Sequence, residues 1–372
     1  MERPLRILHT ADWHLGKTLK GRDRTPEVAE ALEAVANLAK EERVDLVLAA
    51  GDLLDHPQPS AEAEGVLVEF LLRLRKEGIP CFLVAGNHDP PERFERLYRR
   101  LLEPEVQVRG RLALADEGGL VEFQGLRFAL VPFVSERLLV KTLAMPSEER
   151  RLAYGERMGR LLSHYQADIL VGHLTVAGSR PGGGEYALYL ADHYAVPPGL
   201  LPPARYIALG HLHRMQGVAE NAHYPGSLIA LDFGAEEVER GVLLVEVPPE
   251  RHLPVRVHPV VERWGRPLRT FRFPAQEAQA HQEEVRQFRG WAKVILEGPA
   301  EPGLRDAFLA MDHVLEVSVT GNRDSKTGPE EVPDTLEEAY ALYLEEKGQK
   351  REERIRAFQE LRQEVRHASP ED

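Results

Sequence analysis

The stretch YIALGHLHR, residues 206–214, decides the fold because an apolar run ends there in glycine and two histidines follow. Residues i and i+2 of an extended chain point to the same side, so the imidazoles of His211 and His213 would converge on one point in space. Two imidazoles at one point suit a shared metal ion or a phosphate group. If this is a metal site, residues after other strands must supply the remaining ligands.

The same pattern occurs five times in the chain, each time as an apolar run followed by a small residue and then by a metal-binding residue type. The runs are RILHTADWH with Asp12 and His14, DLVLAAGD with Asp52, CFLVAGNHD with Asn87, His88 and Asp89, DILVGH with His173, and YIALGHLH with His211 and His213. Short runs of β-branched and aliphatic residues bounded by turn signals are typical of buried strands.

Segments of helical period separate the first three runs. Residues 26–43 carry an apolar stripe that includes Val28 and Leu32, and the next segment begins with a capping Ser60 and ends at Gly78. Strand–helix–strand order predicts parallel strands joined by right-handed crossovers. Because the carboxyl ends of parallel strands share one edge, where ligands bind, we expect the polar side chains after the five strands to lie together.

Aspartate, asparagine and histidine make up this ligand set, and cysteine is absent from it. Mixed oxygen and imidazole ligation suits Mn²⁺, Fe²⁺ or Zn²⁺ and disfavours a structural zinc site or an all-oxygen calcium site. Even seven of these nine side chains, taken as ligands, are too many for one open catalytic site. They suit two metals that share a carboxylate, a pair roughly 3.5–4 Å apart that can deprotonate a bridging water and neutralise charge on a phosphoryl group.

Composition describes an ordinary globular protein, with 372 residues, 43% of them apolar and 29% charged. The only cysteine, Cys81, excludes a disulfide framework within the chain and fits a reducing compartment. The sequence shows no signal-peptide pattern and no apolar run of membrane-spanning length, so we expect a cytoplasmic protein without membrane contact.

The formal charge of −13 argues at first against a nucleic-acid partner. Thirteen acidic and seven basic residues fall in residues 330–372, so much of the negative charge lies in the tail. Bound divalent metals would also reverse the sign of the charge at a local site. Net charge therefore decides little about the partner.

The ordered set D-x-H, G-D, G-N-H-D, G-H and G-H-x-H resembles the calcineurin-like metallophosphoesterase superfamily. Longer stretches such as RILHTADWHLGK and GHLTVAG are similar to the SbcD-type nuclease subunits of bacterial double-strand-break repair complexes. The resemblance implies an α/β fold in which two packed, mostly mixed β-sheets are flanked by helices, the αββα sandwich. It divides the chain into a nuclease domain (1–262), a small α+β DNA-capping domain (263–322), and a linker with C-terminal partner-binding helices (323–372).

The resemblance also implies roles for the motif residues. One divalent metal ion would be held by Asp12, His14, Asp52 and His213, and a second by Asp52, Asn87, His173 and His211. Mn²⁺ is the expected ion at both positions. His88 matches a catalytic histidine that protonates or steadies the leaving group, and Asp89 is placed to orient its ring. Asp55 stands where archaeal relatives often carry histidine and receives no role.

Basic residues close to the motifs are candidates for contacts with the DNA backbone. They are Lys17, Lys20, Arg22, Arg24, Arg93 and Arg96. A solvated helix face with a Glu92–Arg96 ion pair is the alternative for the second cluster. The glycine-rich residues 178–186 are predicted to form a mobile loop of unassigned role.

Two amphipathic stripes in the tail are candidates for binding a partner protein. They contain Leu336, Tyr340 and Tyr343, and then Ile355, Phe358 and Leu361. Packing of the tail on its own domain is the alternative. The resemblance implies an SbcC-like ABC ATPase as the partner and a homodimer as the assembly. No Walker A sequence occurs in the chain, so an ATP-driven step requires such a partner.

The function implied is a metal-dependent DNA nuclease, a 3′–5′ exonuclease on double strands and an endonuclease on single strands and hairpins, acting in double-strand-break repair. A phosphodiesterase for small nucleotides and a non-catalytic scaffold are the alternatives. A scaffold has no need of the complete ligand set with His88, whereas the capping unit and the tail disfavour a small substrate.

Overall fold

The structure is a computed structural model, and it describes residues 3–136, 138–139, 154–185 and 194–320. The chain divides into two compact units, Met1–Val319 and Thr320–Asp372. Nearly all of the second unit lies outside the described residues, as do the six tail residues predicted to bind a partner. The domain boundary predicted at residue 262 falls inside the first unit and stays a prediction.

The strands of the described part are β1 (Leu5–Thr10), β2 (Thr18–Leu19), β3 (Arg22–Asp23), β4 (Leu46–Ala49), β5 (Cys81–Val84), β6 (Val106–Arg109), β7 (Leu120–Phe123), β8 (Leu126–Val131), β9 (Ile169–His173), β10 (Tyr206–Gly210), β11 (Gln216–Ala219), β12 (Ala222–Tyr224), β13 (Gly241–Val247), β14 (Arg256–Val261), β15 (Leu268–Pro274), β16 (Trp291–Glu297) and β17 (Val314–Thr320). The α-helices are α1 (Thr25–Glu41), α2 (Ala61–Lys76), α3 (Pro91–Arg93), α4 (Arg99–Leu102), α5 (Tyr154–Ser163), α6 (Ala278–Gln287) and α7 (Leu304–Leu309). A π-helical turn, Phe94–Tyr98, connects α3 to α4.

Two six-stranded mixed sheets form the body of the fold. Their strand orders are β14-β13-β1-β4-β5-β6 and β11-β12-β10-β9-β8-β7. The strands β1, β4, β5 and β6 run parallel, and so do β8, β9, β10 and β12. One hydrophobic cluster combines Ile7 and Leu48 of the first sheet with Phe128 and Val171 of the second, so the sheets pack face to face. The predicted αββα sandwich is confirmed.

Local sequence accounts for the helices that cover the first sheet. Helix α1 has proline in its first turn and buries the stripe that contains Val28 and Leu32. Helix α2 begins after Ser60, whose hydroxyl accepts a hydrogen bond from the amide of Ala63, as the predicted cap requires. Apolar residues of both helices join one cluster on the outer face of the first sheet, and α5 contributes to the matching cluster on the second sheet.

The late strands β13 and β14 are placed differently from their sequence prediction. We expected them to complete a second sheet, but β13 pairs antiparallel with β1 and extends the first sheet, with β14 at its edge. The reason is that β1 offers an open edge along its whole length, from Leu5 to His9, to a strand that returns from the far end of the chain. The hairpin predicted about Gln124 and Gly125 is present, and both residues have positive φ.

The strands β15, β16 and β17 form a separate three-stranded sheet, with a hydrophobic cluster of its own that includes Phe273 and Phe308. These strands and the helices α6 and α7 lie within residues 263–322, where the sequence predicted an α+β unit, and the DNA-capping role of that unit stays a prediction. Among the described residues, no helix is both long enough and apolar enough to cross a bilayer.

Candidate metal centre

The predicted ligands follow strand ends at the same edge of both sheets. Asp12 and His14 come after β1, Asp52 after β4 and Asn87 after β5, all in the first sheet, whereas His173 ends β9 and His211 follows β10 in the second. The sequence predicted that all five strands would end at one edge of a single sheet. In the structure the strands belong to two facing sheets, whose ligand-bearing ends lie together. All seven predicted ligands meet there.

Two groups drawn from the predicted ligands lie close together at this edge, and a third group, formed by His14, Asp55 and His88, adjoins them. One atom from each of Asp12, His14 and His213 lies within 4.8 Å of the other two, and the same holds for Asp52, His173 and His211. The Oδ1 atom of Asn87 lies 3.0 Å from Nε2 of His173 and 2.9 Å from Nδ1 of His211. The seven side chains therefore form two adjacent donor sets.

Asp52 stands between the two donor sets. Its Oδ2 atom lies 3.4 Å from Nε2 of His173 in one set and 3.8 Å from Nε2 of His14 in the other. The side chain is only 2% exposed. A carboxylate in this position can be shared by two cations, which is the role predicted for it.

The backbone at the ligands is strained. Asp12, His14, Asp52 and His211 all have positive φ, between 49° and 107°. Non-glycine residues rarely adopt such angles, and those that do cluster at functional sites, where the surrounding structure holds them. Strain at four of the seven predicted ligands marks this edge as a built site.

Glycines before the ligands allow close approach of the backbone. A Cβ atom at Gly86 would collide with the carboxylate of Asp52, and one at Gly210 would collide with the carbonyl oxygen of Ala50. Hence the glycines in the G-N-H-D and G-H-x-H motifs are required by packing around the carboxylate and between the two sheets.

Electrostatics favour neutral imidazoles at three of the four histidine ligands. Burial lowers the pKa of His14, lowers that of His211 well below its ordinary value, and, with His14 nearby, lowers that of His213 to about 4. Burial also disfavours charge on His173, but the carboxylate of Asp52 outweighs it and raises the pKa of His173 to about 9. Neutral rings present the lone pairs that metal ions bind.

The structure corrects the role predicted for Asp89. Its carboxylate accepts hydrogen bonds from the backbone amides of Gly86 (2.7 Å), Leu54 (2.8 Å) and Leu53 (3.3 Å). The ring of His88 donates from Nδ1 to the carbonyl oxygen of Asp55 at 2.8 Å instead. Three backbone amides therefore take the place that the prediction gave to the imidazole of His88, although burial and the carboxylate of Asp52 outweigh these bonds and raise the pKa of Asp89 to about 7. Asp89 fixes the two loops that carry Asp52 and Asn87.

Asp55 received no role from the sequence, so its contribution to the site was missed. Its Oδ1 atom lies 3.0 Å from Nδ1 of His14 and 3.2 Å from Nζ of Lys17. Asp55 therefore supports His14 through its side chain and His88 through its backbone carbonyl. Its spacing of three residues after Asp52 was the available signal.

Glu185 was also missed. The amides of Gly182, Gly183 and His213 converge on its carboxylate at 2.5–3.0 Å, and Gly183 accepts a hydrogen bond from Nδ1 of His213. The part of the glycine-rich loop up to Glu185 is thus hydrogen-bonded to a predicted ligand, and the mobility predicted from composition stays a prediction.

The six predicted DNA-contact residues have partners within the chain. Arg24 is fully buried, with bonds to Glu27 (2.7 Å) and to the carbonyl of Ala230, so it cannot reach DNA. The other pairs are Lys17 with Asp55, Lys20 with Glu316, Arg22 with the carbonyl of Asp312, Arg93 with Glu64, and Arg96 with Glu92. The prediction that Arg24 contacts DNA is wrong, because this side chain is buried as the partner of Glu27. The remaining five residues stay candidates.

Comparison with known proteins agrees with this geometry. A family model described as Calcineurin-like phosphoesterase matches residues 5–215. The chain is 34% identical to the D component of the nuclease SbcCD of Bacillus subtilis, over 66% of this chain and 67% of that protein. The chain belongs to the calcineurin-like phosphoesterase family and, within it, to the SbcD type.

Two further relatives of this phosphoesterase carry the same name. Identity is 31% with the protein from Rhodobacter capsulatus, over 73% of this chain and 72% of that one. It is 30% with the protein from Staphylococcus epidermidis, over 65% of this chain and 66% of that one. Among solved structures, a dimetal phosphatase from Danio rerio matches 69% of this chain and 99% of its own, with 14% identity and a TM-score of 0.41.

The donor chemistry of this phosphoesterase fits two divalent metal ions. The Nε2 atoms of His14 and His213 lie 3.1 Å apart, an arrangement of two neutral imidazoles that a cation stabilises by accepting both lone pairs. Asp52 supplies balancing negative charge, because His173 beside it outweighs burial and holds the pKa of Asp52 well below its ordinary value, whereas burial raises the pKa of Asp12. The set is compatible with a dinuclear site.

Proposed function

We propose that this chain is a metal-dependent DNA nuclease, a 3′–5′ exonuclease on double strands and an endonuclease on single strands and hairpins, in double-strand-break repair. Two Mn²⁺ ions are its proposed cofactors. The single observation that carries the proposal is the position of Asp52 between two donor sets, in a chain of the SbcD type. Three relatives are named as components of a nuclease, which supports a nucleic acid as the substrate.

The residues of the site have two proposed roles, holding the metal ions and protonating the leaving group. Asp12, His14, Asp52 and His213 would hold one ion, and Asp52, Asn87, His173 and His211 the other. Bound there, a metal pair supplies an activated water and offsets the charge of a phosphodiester. Because Nδ1 of His88 donates to Asp55, Nε2 faces the site, 4.0 Å from Oδ2 of Asp52. When the ring carries a second proton, on Nε2, it can give that proton or a hydrogen bond to the leaving oxygen from this position.

The experiment compares wild type with Asp52→Asn, which keeps the shape of the carboxylate and removes its charge. We expect wild type with Mn²⁺ to cut linear double-stranded, hairpin and single-stranded DNA, and Asp52→Asn to lose both metal binding and cleavage. Asp116→Asn, at an exposed aspartate of a surface turn, is the matched control. Cleavage of a small phosphodiester but of no DNA would favour the nucleotide phosphodiesterase instead, and full activity in excess EDTA would exclude the metal mechanism.

The proposed partners are an SbcC-like ABC ATPase and a second copy of this chain. Leu97 and Leu101, four residues apart, are 45% and 65% exposed, an apolar pair that a homodimer would bury. Sedimentation of wild type and Leu101→Glu tests the homodimer at that surface. A wild-type monomer at all concentrations would contradict it.

A further inference from the structure

A buried carboxylate outside the sequence motifs lies behind His213. The side chain of Glu185 is 2% exposed, and its Oε1 atom is 3.9 Å from Nδ1 of His213. The backbone amide of His213 donates to Oε1 at 3.0 Å. A buried charge is costly unless it is hydrogen-bonded, and here the bonds tie it to a ligand residue.

The same loop fixes the ring of His213. The carbonyl oxygen of Gly183 accepts a hydrogen bond from Nδ1 at 2.6 Å, and a carbonyl can only accept, so Nδ1 carries the proton. The lone pair is then on Nε2, the atom that faces Nε2 of His14 at 3.1 Å. This tautomer is the one that a shared metal ion requires.

Glu185 in turn holds the loop in this shape. Its two carboxylate oxygens accept from the amides of Gly182 (2.5 Å) and Gly183 (2.7 Å). A Cβ atom at Gly182 would collide with the backbone of His213, so loop and ligand are in direct contact. Glu185 therefore acts on His213 twice, through the backbone amide and through the carbonyl of Gly183.

We propose that Glu185 is a positioning residue for His213, which fixes the tautomer and direction of this ligand and adds negative charge beside the first metal position. The inference rests on the proposed two-metal function and deepens it. Mutation of a group that hydrogen-bonds to a ligating histidine and orients it commonly lowers metal affinity by roughly 10–100-fold. Glu185 touches no reacting atom, so its effect has to appear in metal binding.

The test is a titration of the metal-free protein with MnCl₂. Calorimetry measures the affinity for each ion, and electron paramagnetic resonance detects the bound Mn²⁺. Wild type should bind two ions. Glu185→Gln removes the charge and turns an amide NH₂ toward one of the backbone N–H donors, so one of the two ions should bind about 10-fold or more weakly. Glu185→Asp keeps the charge but shortens the reach to the amides, and it should show a comparable loss if positioning matters. Glu220→Gln changes an exposed glutamate in the turn between β11 and β12, and its Mn²⁺ affinity should match that of wild type.

The outcomes separate the two proposals. Wild type without bound Mn²⁺ would overturn the proposed function itself. Two ions in wild type and equal affinity in Glu185→Gln would overturn only the role of Glu185. If Glu185→Gln does not fold, Glu185→Asp decides, because wild-type affinity in that variant would rule out positioning by the hydrogen bonds.

Discussion

The Nε2 atoms of His14 and His213 lie 3.1 Å apart, although 199 residues separate them in sequence. Each ring is held from behind at Nδ1, His14 by the carboxylate of Asp55 and His213 by the carbonyl of Gly183. The first ring follows β1 of the first sheet, and the second follows β10 of the second sheet. The contact between the two sheets thus brings together two ligands proposed for the first metal position, and the groups that support the two rings differ in charge.

Because Asp55 supports the ring of His14 through its carboxylate, replacing this side chain should weaken metal binding without removing the support of His88. Asp55→Ala removes the acceptor for Nδ1 of His14 and the partner of Lys17, but it leaves the backbone carbonyl that holds His88. We expect about 10-fold weaker Mn²⁺ binding or more, measured by titration of the metal-free protein. Asp55→Asn retains one oxygen as acceptor and should lie between wild type and Asp55→Ala. Unchanged affinity in Asp55→Ala would show that Asp55 does not orient His14.

His88 is expected to act in chemistry and not in metal binding. His88→Ala should retain two Mn²⁺ ions per chain by elemental analysis and lose cleavage by roughly 10²–10⁴-fold, the usual effect of a missing proton-transfer group. His56→Ala, at an exposed histidine next to Asp55, serves as the control. The loss of one metal in His88→Ala would identify His88 as a ligand instead.

Glu27 links helix α1 to the small three-stranded unit, and its charge should make stability depend on pH. Its carboxylate accepts from Arg24, from Nε1 of Trp291 and from the amide of Arg266. Burial by itself raises the pKa of Glu27, but these bonds, led by the one from Arg24, outweigh burial and lower it below the ordinary 4.5. A lowered pKa stabilises the fold above pH 4.5, and this stabilisation is lost as the pH falls through the folded-state pKa.

Glu27→Gln should therefore reduce the free energy of unfolding at pH 7 by about 1.5–3 kcal/mol, the range for hydrogen bonds to charged groups. The difference from wild type should shrink in denaturant titrations repeated at pH values progressively below 4.5. Glu30→Gln, exposed on the same helix, is the control and should differ little from wild type at any pH. A gap that stays constant with pH would mean that shape, and not charge, accounts for the effect.

The tail prediction concerns residues outside the described part of the chain. Phe358→Glu with Leu361→Glu should abolish co-purification with an SbcC-like ATPase, because charges on an apolar stripe would be buried unpaired on docking. Nuclease activity of the isolated chain on single-stranded DNA should persist. Aggregation or a much lower melting temperature of a chain truncated at residue 333 would assign the helices to the protein's own fold.

Sequence alone determined the parts of this protein that depend on local pattern. Apolar runs with turn signals located β1, β4, β5, β9 and β10, and helical periodicity with the Ser60 cap located α1 and α2. The ligand types were readable because metal-binding residues stand directly after strands, where chain direction already constrains them. For that reason all seven predicted ligands meet in the structure.

Tertiary structure decided what depends on partners far away in sequence. The pairing of β13 with β1, the bond of buried Arg24 to the carbonyl of Ala230, and the bonds of Asp89 from the amides of Leu53 and Leu54 each arise from contacts that no local period encodes. The roles of Asp55 and Glu185 have the same origin, since each is defined by which ring or amide lies opposite. The end of a strand determines the position of a ligand residue along the chain. Only the packing of the two sheets determines which neighbouring group orients its side chain.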